Sequence, residues 1–501
     1  MYQLSNSRIF QGFLYCFLGA VFLELILPVG WKITLWQNWL ILVIGLIFFS
    51  AGYKKRAVLL LFFSILGLFL GFFVTIKQFE KIHHREEAQF SGLGYVFEEP
   101  QFKEDYQKLV ICPILSQNKV FYPRCQEKVL LFDNLENYYN LGEIIEVDCQ
   151  LKNPENKYPK FNYINFLAKD KIYQICQGAK IKKINPEKSQ LSPFYRLRNE
   201  FYRIILKSKK GLEERIKFIF SYPESAYLSG LLLGGEDRLP ENIQEDFRRT
   251  GVTHTIAVSG YNITILAGFF MGLGILVGFY RQKAFWLAAL GVVFFVLMIG
   301  SPNSAVRAAV MGILLLWAAK KGRLADSTLI IVVAAALMVA FSPLILLYDV
   351  GFQLSFLASL SIVSFYGPIS DKFNIKSDFL ELKSIFLVTV VAQIGVLGVI
   401  FYNFETFSPV SLLANLLILP IIPAIMLFGF LVLILSFLSL FLASFVALPV
   451  QMALSLEIAI ISLISKIPWA SINIGDIGTL GLVVYYTFFV ILLLYFKKKL
   501  N

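Results

Sequence analysis

Long uninterrupted apolar runs constrain this chain more than any other feature. Phe10 to Pro28, Trp36 to Gly52 and Ala57 to Ile76 come first, and from Thr255 onward such runs follow one another with short polar breaks. About 20 apolar residues in a helix span the hydrocarbon core of a bilayer. In lipid only a helix or a closed barrel satisfies its own backbone, because each unpaired polar group there costs several kcal/mol. Charged residues make up 16% of the chain, against about 25% in soluble proteins. A polytopic α-helical membrane protein is therefore expected.

Lys and Arg beside a span stay on the cytoplasmic side, so the basic clusters give an orientation. Tyr53-Lys54-Lys55-Arg56 separates the second and third runs and marks the inside. The first run follows Arg8 and lacks a small-residue cleavage site, so it reads as a retained helix rather than a cleaved signal. Later spans are expected near Thr255–Tyr280, Ala284–Gly300, Ala305–Ala319, Thr328–Leu347, Phe352–Tyr366, Ser384–Tyr402, Val410–Leu440, Ala443–Ser465 and Leu480–Phe496. Arg281 and Lys283, then Lys320, Lys321 and Arg323, then Lys372, Lys376 and Lys383, and finally Lys497 to Lys499 fall where alternation puts the cytoplasm. About twelve spans with both termini inside fit these charges. Val410–Leu440 is too long for one upright helix and contains Pro420 and Pro423, so a broken or re-entrant span is expected there.

Four regions follow: three helices over 1–76, a polar region over 77–193, a basic helix and helical linker over 194–253, and a membrane domain over 254–501. In the polar region, Lys108 to Cys112, Lys128 to Phe132 and Glu143 to Cys149 have strand character and are separated by turn signals. They predict a small all-β module of the barrel or sandwich type, outside the membrane by the charge argument. Cys112, Cys125, Cys149 and Cys176 all lie in it, and Cys16 lies in the first run. An oxidising compartment would let the four pair. Four Cys allow three connectivities, and sequence does not choose among them. No CxxC is present, which argues against a zinc ribbon.

Tyr195 to Lys217 holds eight Lys or Arg against three Glu. Phe194, Leu197, Phe201, Ile204 and Ile205 recur at helical spacing. Two readings of this basic amphipathic helix stay open. It lies on the membrane surface, or Arg196, Arg198 and Arg203 track a phosphate backbone. The formal net charge of +12 has the same two readings, a positive-inside excess or attraction to a polyanion.

Polar side chains inside a span are costly and mark function by default. Three clusters are candidates for a pathway. Gly251 to Thr264 contains His254, Thr255, Ser259, Gly260 and Asn262, and Thr255, Ser259 and Asn262 share one face at helical spacing. Ser301 to Ala309 contains Arg307 at the start of a span. It either snorkels to the interface or sets a fixed charge at a pore mouth. Asp349, Gln353 and Ser355 in Asp349 to Phe356, with Asn415 in Ser408 to Asn415, form the third. They serve as interhelical glue or as pathway lining.

These motifs resemble the ComEC-type competence channel family. The likeness rests on Leu231 to Gly234, Phe247 to Gly251, His254 with Ala257 to Gly260, Ser304-Ala305-x-Arg307-Ala308, Gly351 to Phe356, and Ser408 to Ser411 with Ala414 and Asn415, in that order. The N-terminal helices and a small extracytoplasmic domain resembling an OB fold also match. The resemblance implies an inner-membrane channel that takes up single-stranded DNA in natural transformation, with the OB-like domain guiding the strand. OB folds bind single strands by aromatic stacking and a basic groove. Tyr95, Phe97, Phe121, Tyr122, Tyr138 and Tyr139 are available for it. Where the family usually reads Ser-Gly-Leu-His, this chain has Ser259-Gly260-Tyr261-Asn262, so a role needing two imidazoles is not implied.

Many members carry a metallo-β-lactamase-like nuclease domain. Here His83, His84 and His254 are the only His, and no HxHxDH cluster is present. A channel without metal or other cofactor is expected, rather than an enzyme. No phosphate-binding P-loop is present either. A separate nuclease, a DNA-receptor protein, a cytoplasmic motor, membrane lipid and a second copy of the chain are the partners this reading calls for. A transporter or flippase for another polyanionic or lipid-linked substrate is the alternative. A membrane enzyme using His254 and Asp349 ranks below both.

Overall fold

The computed structural model describes residues 6–27, 37–43, 56–83, 86–102, 106–117, 120–135, 137–157, 161–184, 191–234, 239–256, 260–320, 326–373 and 382–500. Ser259 with Ala257 and Val258, the hinge Tyr53-Lys54-Lys55, His84, Lys321, Arg323, Lys376 and most of the second apolar run lie outside the described residues. Two compact units form: Met1–Leu206 with Ala335–Asp349, and Lys207–Ala334 with Val350–Asn501.

In the first unit α1 (Asn6–Ile26) packs along α2 (Arg56–His83). Glycines spaced by four allow it. A Cβ on Gly67 would lie 2.3 Å from the Phe13 carbonyl oxygen, and one on Gly71 would lie 2.5 Å from that of Phe17. Such small-xxx-small contacts pack helices where lipid offers no hydrophobic driving force. Residues 37–43 are helical, and Asn38 Nδ2 donates to the Phe69 carbonyl at 3.2 Å. At 28 residues α2 is about 42 Å long, longer than the roughly 30 Å hydrocarbon core. Near its end Gln78 Nε2 donates to the Ala168 carbonyl at 3.1 Å, tying the helix to the β module.

The described residues of that module form seven strands: β1 (Ala88–Val96), β2 (Gln101–Phe102), β3 (Gln107–Gln117), β4 (Val120–Pro123), β5 (Lys128–Asp133), β6 (Ile144–Lys152) and β7 (Ile172–Ile184). Five of them close a ring in the order β1-β6-β7-β5-β3 and back to β1, with β5 and β7 parallel and the other ring pairs antiparallel. Closure falls at Gly94, where β1 leaves β6 for β3 and a Cβ would come within 2.8 Å of Ile111 Cδ1. Alternate residues such as Leu109 and Ile111, Val129 and Leu131, and Ile145 and Val147 fill the interior. The opposite faces of some strands are covered too. Helix α3 (Tyr163–Ala168) brings Leu167 onto Val110, Leu130 and Ile172. The start of α4 (Pro193–Ile219) brings Tyr195 onto Tyr95, Cys112 and Ile144. Burial on both faces explains why these strands read as nearly continuous apolar runs. Cys149 and Cys176 pair within the interior across β6 and β7, and Cys112 pairs with Cys125.

The second unit is helical. Its described helices are α5 (Glu224–Leu233), α6 (Glu241–Arg249), α7 (Thr253–Ile256), α8 (Gly260–Leu276), α9 (Arg281–Met298), α10 (Asn303–Lys320), α11 (Ser327–Phe341, shared with the first unit), α12 (Ile345–Tyr348, in the first unit), α13 (Val350–Lys372), α14 (Leu382–Phe404), α15 (Ser411–Ile418), α16 (Ile422–Leu438), α17 (Leu440–Ser465) and α18 (Gly478–Leu500). Among the described residues of the whole chain, seven helices are long and apolar enough to cross a membrane, or eight if the bent pair α15 and α16 is one span. That pair meets at 43°. Pro420 sits in the break and Pro423 in the first turn of α16, where missing N–H groups interrupt no helical ladder. One expected span is shorter than the sequence suggested. The helix expected over Thr328–Leu347 stops at Phe341, because Pro343 cannot continue it and the Ser342 hydroxyl turns to the Lys169 carbonyl at 2.8 Å.

Candidate functional site

The second unit brings several motif segments onto one another. Helix α6 ends in a Schellman turn: Gly251 N donates to the Arg248 carbonyl and Val252 N to the Phe247 carbonyl, at 3.1 and 3.0 Å. The turn needs Gly251 at φ +71°, and a Cβ there would lie 2.8 Å from Ser411 Cβ and 3.0 Å from Ser408 Cβ. The segment Phe247 to Gly251 is thereby docked on the segment Ser408 to Ser411. The Ser411 hydroxyl donates to the Ser408 carbonyl at 2.7 Å and accepts from Gln393 Nε2 of α14 at 2.8 Å. Asn415, one turn further along α15, is buried, and its Oδ1 and the Ser408 hydroxyl oxygen have no hydrogen-bond partner among the described residues. A buried acceptor without a donor costs on the order of 1–3 kcal/mol.

His254 lies on the exposed surface of α7, while Thr255 is buried and donates to the Val252 carbonyl at 2.7 Å. The chain resumes as α8 at Gly260, whose open side faces Ala308 of α10 at 3.7 Å, and Asn262 is buried on the same helix. Arg307, beside Ala308, is only 5% exposed. Its Nη1 donates to the Gly351 carbonyl at 2.7 Å and its guanidinium stands 5.6 Å from the Phe356 ring. It does not snorkel outward; it fixes a cation against the first turn of α13, where Gln353 and Ser355 are half-buried.

Asp349 is a separate case. It belongs to the first unit, where its Oδ2 lies 2.8 Å from Lys169 Nζ with both side chains largely buried. Of the candidate DNA-contacting residues, Tyr95 is fully buried. Its hydroxyl donates to Asn199 Oδ1 and accepts from Arg198 Nη1. Burial pushes its phenol up against the opposing pull of Arg198. Phe97 is covered by Lys128 Nζ at 4.6 Å and the Arg198 guanidinium at 4.2 Å. Arg198 thus anchors α4 to the barrel. Arg196 donates to the Leu191 carbonyl at 3.2 Å and Arg203 pairs with Glu200. Tyr139 is buried, with its hydroxyl on Asp133. Tyr122 is 44% and Tyr138 69% exposed.

Polar residues missed in the sequence include the half-buried Gln393 and the fully buried Glu457. Gln393 sits mid-helix in α14, and Glu457 is fully buried in α17, where Tyr227 of α5 donates to its Oε2 at 2.9 Å. Glu457 is the one ionisable residue of that 26-residue helix, which is the signal that could have found it. Among the described residues no group of three or more His, Cys, Asp and Glu is placed to hold a metal ion.

Fold and site together define a polytopic helical membrane protein with a β-barrel-like domain and a polar cluster inside its larger helical unit. Residues 231–499 match the competence protein family, over more than half of the chain, and the chain belongs to that family. It is similar to ComE operon protein 3 of Bacillus subtilis (strain 168), with 27% identity over 194 residues, 38% of this chain and 24% of that protein. The match thus spans about a quarter of that relative's length. No solved structure matches the chain.

Proposed function

We propose that the chain forms the inner-membrane channel through which single-stranded DNA enters during natural transformation. The observation that carries this reading is the convergence of the family's motif segments. Gly251 meets Ser408 and Ser411, Gly260 meets Ala308, and Arg307 meets Gly351 and Phe356. A cation held inside an apolar helical unit suits the passage of a polyanion.

The barrel is read as an OB fold, in support of which its ring order and its single parallel pair fit a five-stranded Greek-key barrel. Tyr122 and Tyr138 are its stacking residues in this reading. Two disulfides suit an oxidising compartment, so the barrel lies outside the cell and both termini inside. The eight spans, the shorter apolar helices Phe10–Ile26, Asn303–Ala318 and Ser327–Phe341, and the second apolar run together bring the number to about twelve. The chain conducts rather than catalyses. Strand cleavage falls to a separate nuclease and delivery of the strand to a receptor protein, the driving work comes from a cytoplasmic motor or the membrane potential, and the working form is a homodimer.

The test is uptake of labelled DNA by a transformable host that carries this chain in place of its own channel. Arg307→Ala and His254→Ala should each lower uptake about tenfold or more, the scale of one lost charge-assisted contact, with the protein still in the membrane. Unchanged uptake in both would remove the site assignment.

A further inference from the structure

The larger helical unit buries a carboxyl that the pathway above does not use. Glu457 is fully buried in the interior of α17. On its own helix Leu454 and Ile461 flank it, and α5, which supplies its hydrogen bond, carries Leu228 and Leu231; all four are fully buried. Tyr227 donates to Oε2 at 2.9 Å, and Oε1 is buried with no hydrogen-bond partner among the described residues. No Lys or Arg of the described residues pairs with it. The Tyr227 hydroxyl spends its proton on Glu457, and the Thr255 hydroxyl donates to the Val252 carbonyl.

Among the described residues, the basic groups on helices packed on α17 are Arg248 and the half-buried Arg249 of α6, and neither pairs with Glu457. From α5, Glu224 takes the Ser455 hydroxyl at 2.6 Å, and from α6, Asp246 takes the Ser465 hydroxyl at 2.5 Å. Arg248 of α6 pairs with Glu245 on the exposed side, and α15 and α16 carry no ionisable side chain. A carboxylate isolated among apolar side chains is so costly that the group takes up a proton instead.

We infer that Glu457 is a proton-binding site, neutral in this conformation, whose release of a proton accompanies a conformational step of translocation. Release moves the Oε1 proton to water admitted when α5 and α17 part, and leaves a carboxylate that this water solvates in place of the Tyr227 hydroxyl. Rejoining of the helices requires the proton back. One proton bound and released per cycle would link transport to a proton gradient. The protonation claim stands alone; only its coupling to transport rests on the channel reading.

Infrared difference spectroscopy of the full chain in lipid nanodiscs tests the first half. At neutral pH the wild type should show the carbonyl band of a buried protonated carboxyl, Glu457→Gln should lack it, and Tyr227→Phe should keep it at a shifted frequency. An identical band in wild type and Glu457→Gln would overturn the site. For the second half, DNA uptake in the transformable host should fall about tenfold or more in Glu457→Gln, which stays neutral, and recover in part in Glu457→Asp. Full uptake by Glu457→Gln would overturn the coupling while leaving the proton site standing. Absence of uptake by the wild type would instead count against the channel reading.

Discussion

Gly251 is held by two constraints at once, a left-handed backbone and the crowding of Ser408 and Ser411. Gly300 has φ +85° but nothing within 4 Å of its missing Cβ, so it isolates the backbone term. Gly251→Ala should therefore cost more than Gly300→Ala, which carries only the left-handed penalty of about 1–2 kcal/mol. Thermal unfolding of the two variants in nanodiscs checks this, and equal losses would mean that the serine segment gives way. The Lys169 and Asp349 pair is a second case. Removing either partner leaves a buried charge and should cost about 3–5 kcal/mol, while removing both should cost less than the sum. Additive losses in a double-mutant cycle would show the two side chains acting independently. Polarity inside a span pointed to Arg307, Asn262 and Asn415, but their partners depend on which helices meet, and spacing along the chain does not contain that. Asp349 illustrates the gap, since its partner lies 180 residues away on the barrel.

Helix α2 depends on Gly67 and Gly71. Gly71→Leu would drive a side chain into the Phe17 carbonyl and Ala20 Cβ, at 2.5 and 2.7 Å from its Cβ position. It should separate α1 from α2, read as a lost cross-link between cysteines placed at Phe13 and Leu68. Retained cross-linking would mean that the glycines are dispensable. In the barrel, replacing Cys149 and Cys176 by Ala should lower stability by about 3 kcal/mol, since the bond closes a loop of 27 residues, measured by limited proteolysis of the barrel. Three strands were evident in the sequence because β3 and β5 carry continuous apolar runs buried on both faces, while β6 alternates buried Ile145, Val147 and Cys149 with polar Glu146 and Asp148. Ring closure was not, because it depends on Gly94 and on pairing between distant strands. The early end of α11 was also hidden. It depends on a hydroxyl reaching the Lys169 carbonyl, a contact made only after folding.

For the whole molecule, composition alone settles a membrane protein: the apolar runs have nowhere else to go, and the helices they form are long enough to cross. The cargo cannot be read from hydropathy, and the membrane unit gains its meaning from the motif segments that fold together. The central claim is that this chain conducts single-stranded DNA. The most direct measurement reconstitutes the full chain in vesicles holding an inside-negative proton gradient, adds labelled single strands outside with a nuclease, and counts strands protected in the lumen. Protected single strands that disappear in Arg307→Ala vesicles are the predicted result. No protection above protein-free vesicles, with the chain inserted and folded, would contradict the account.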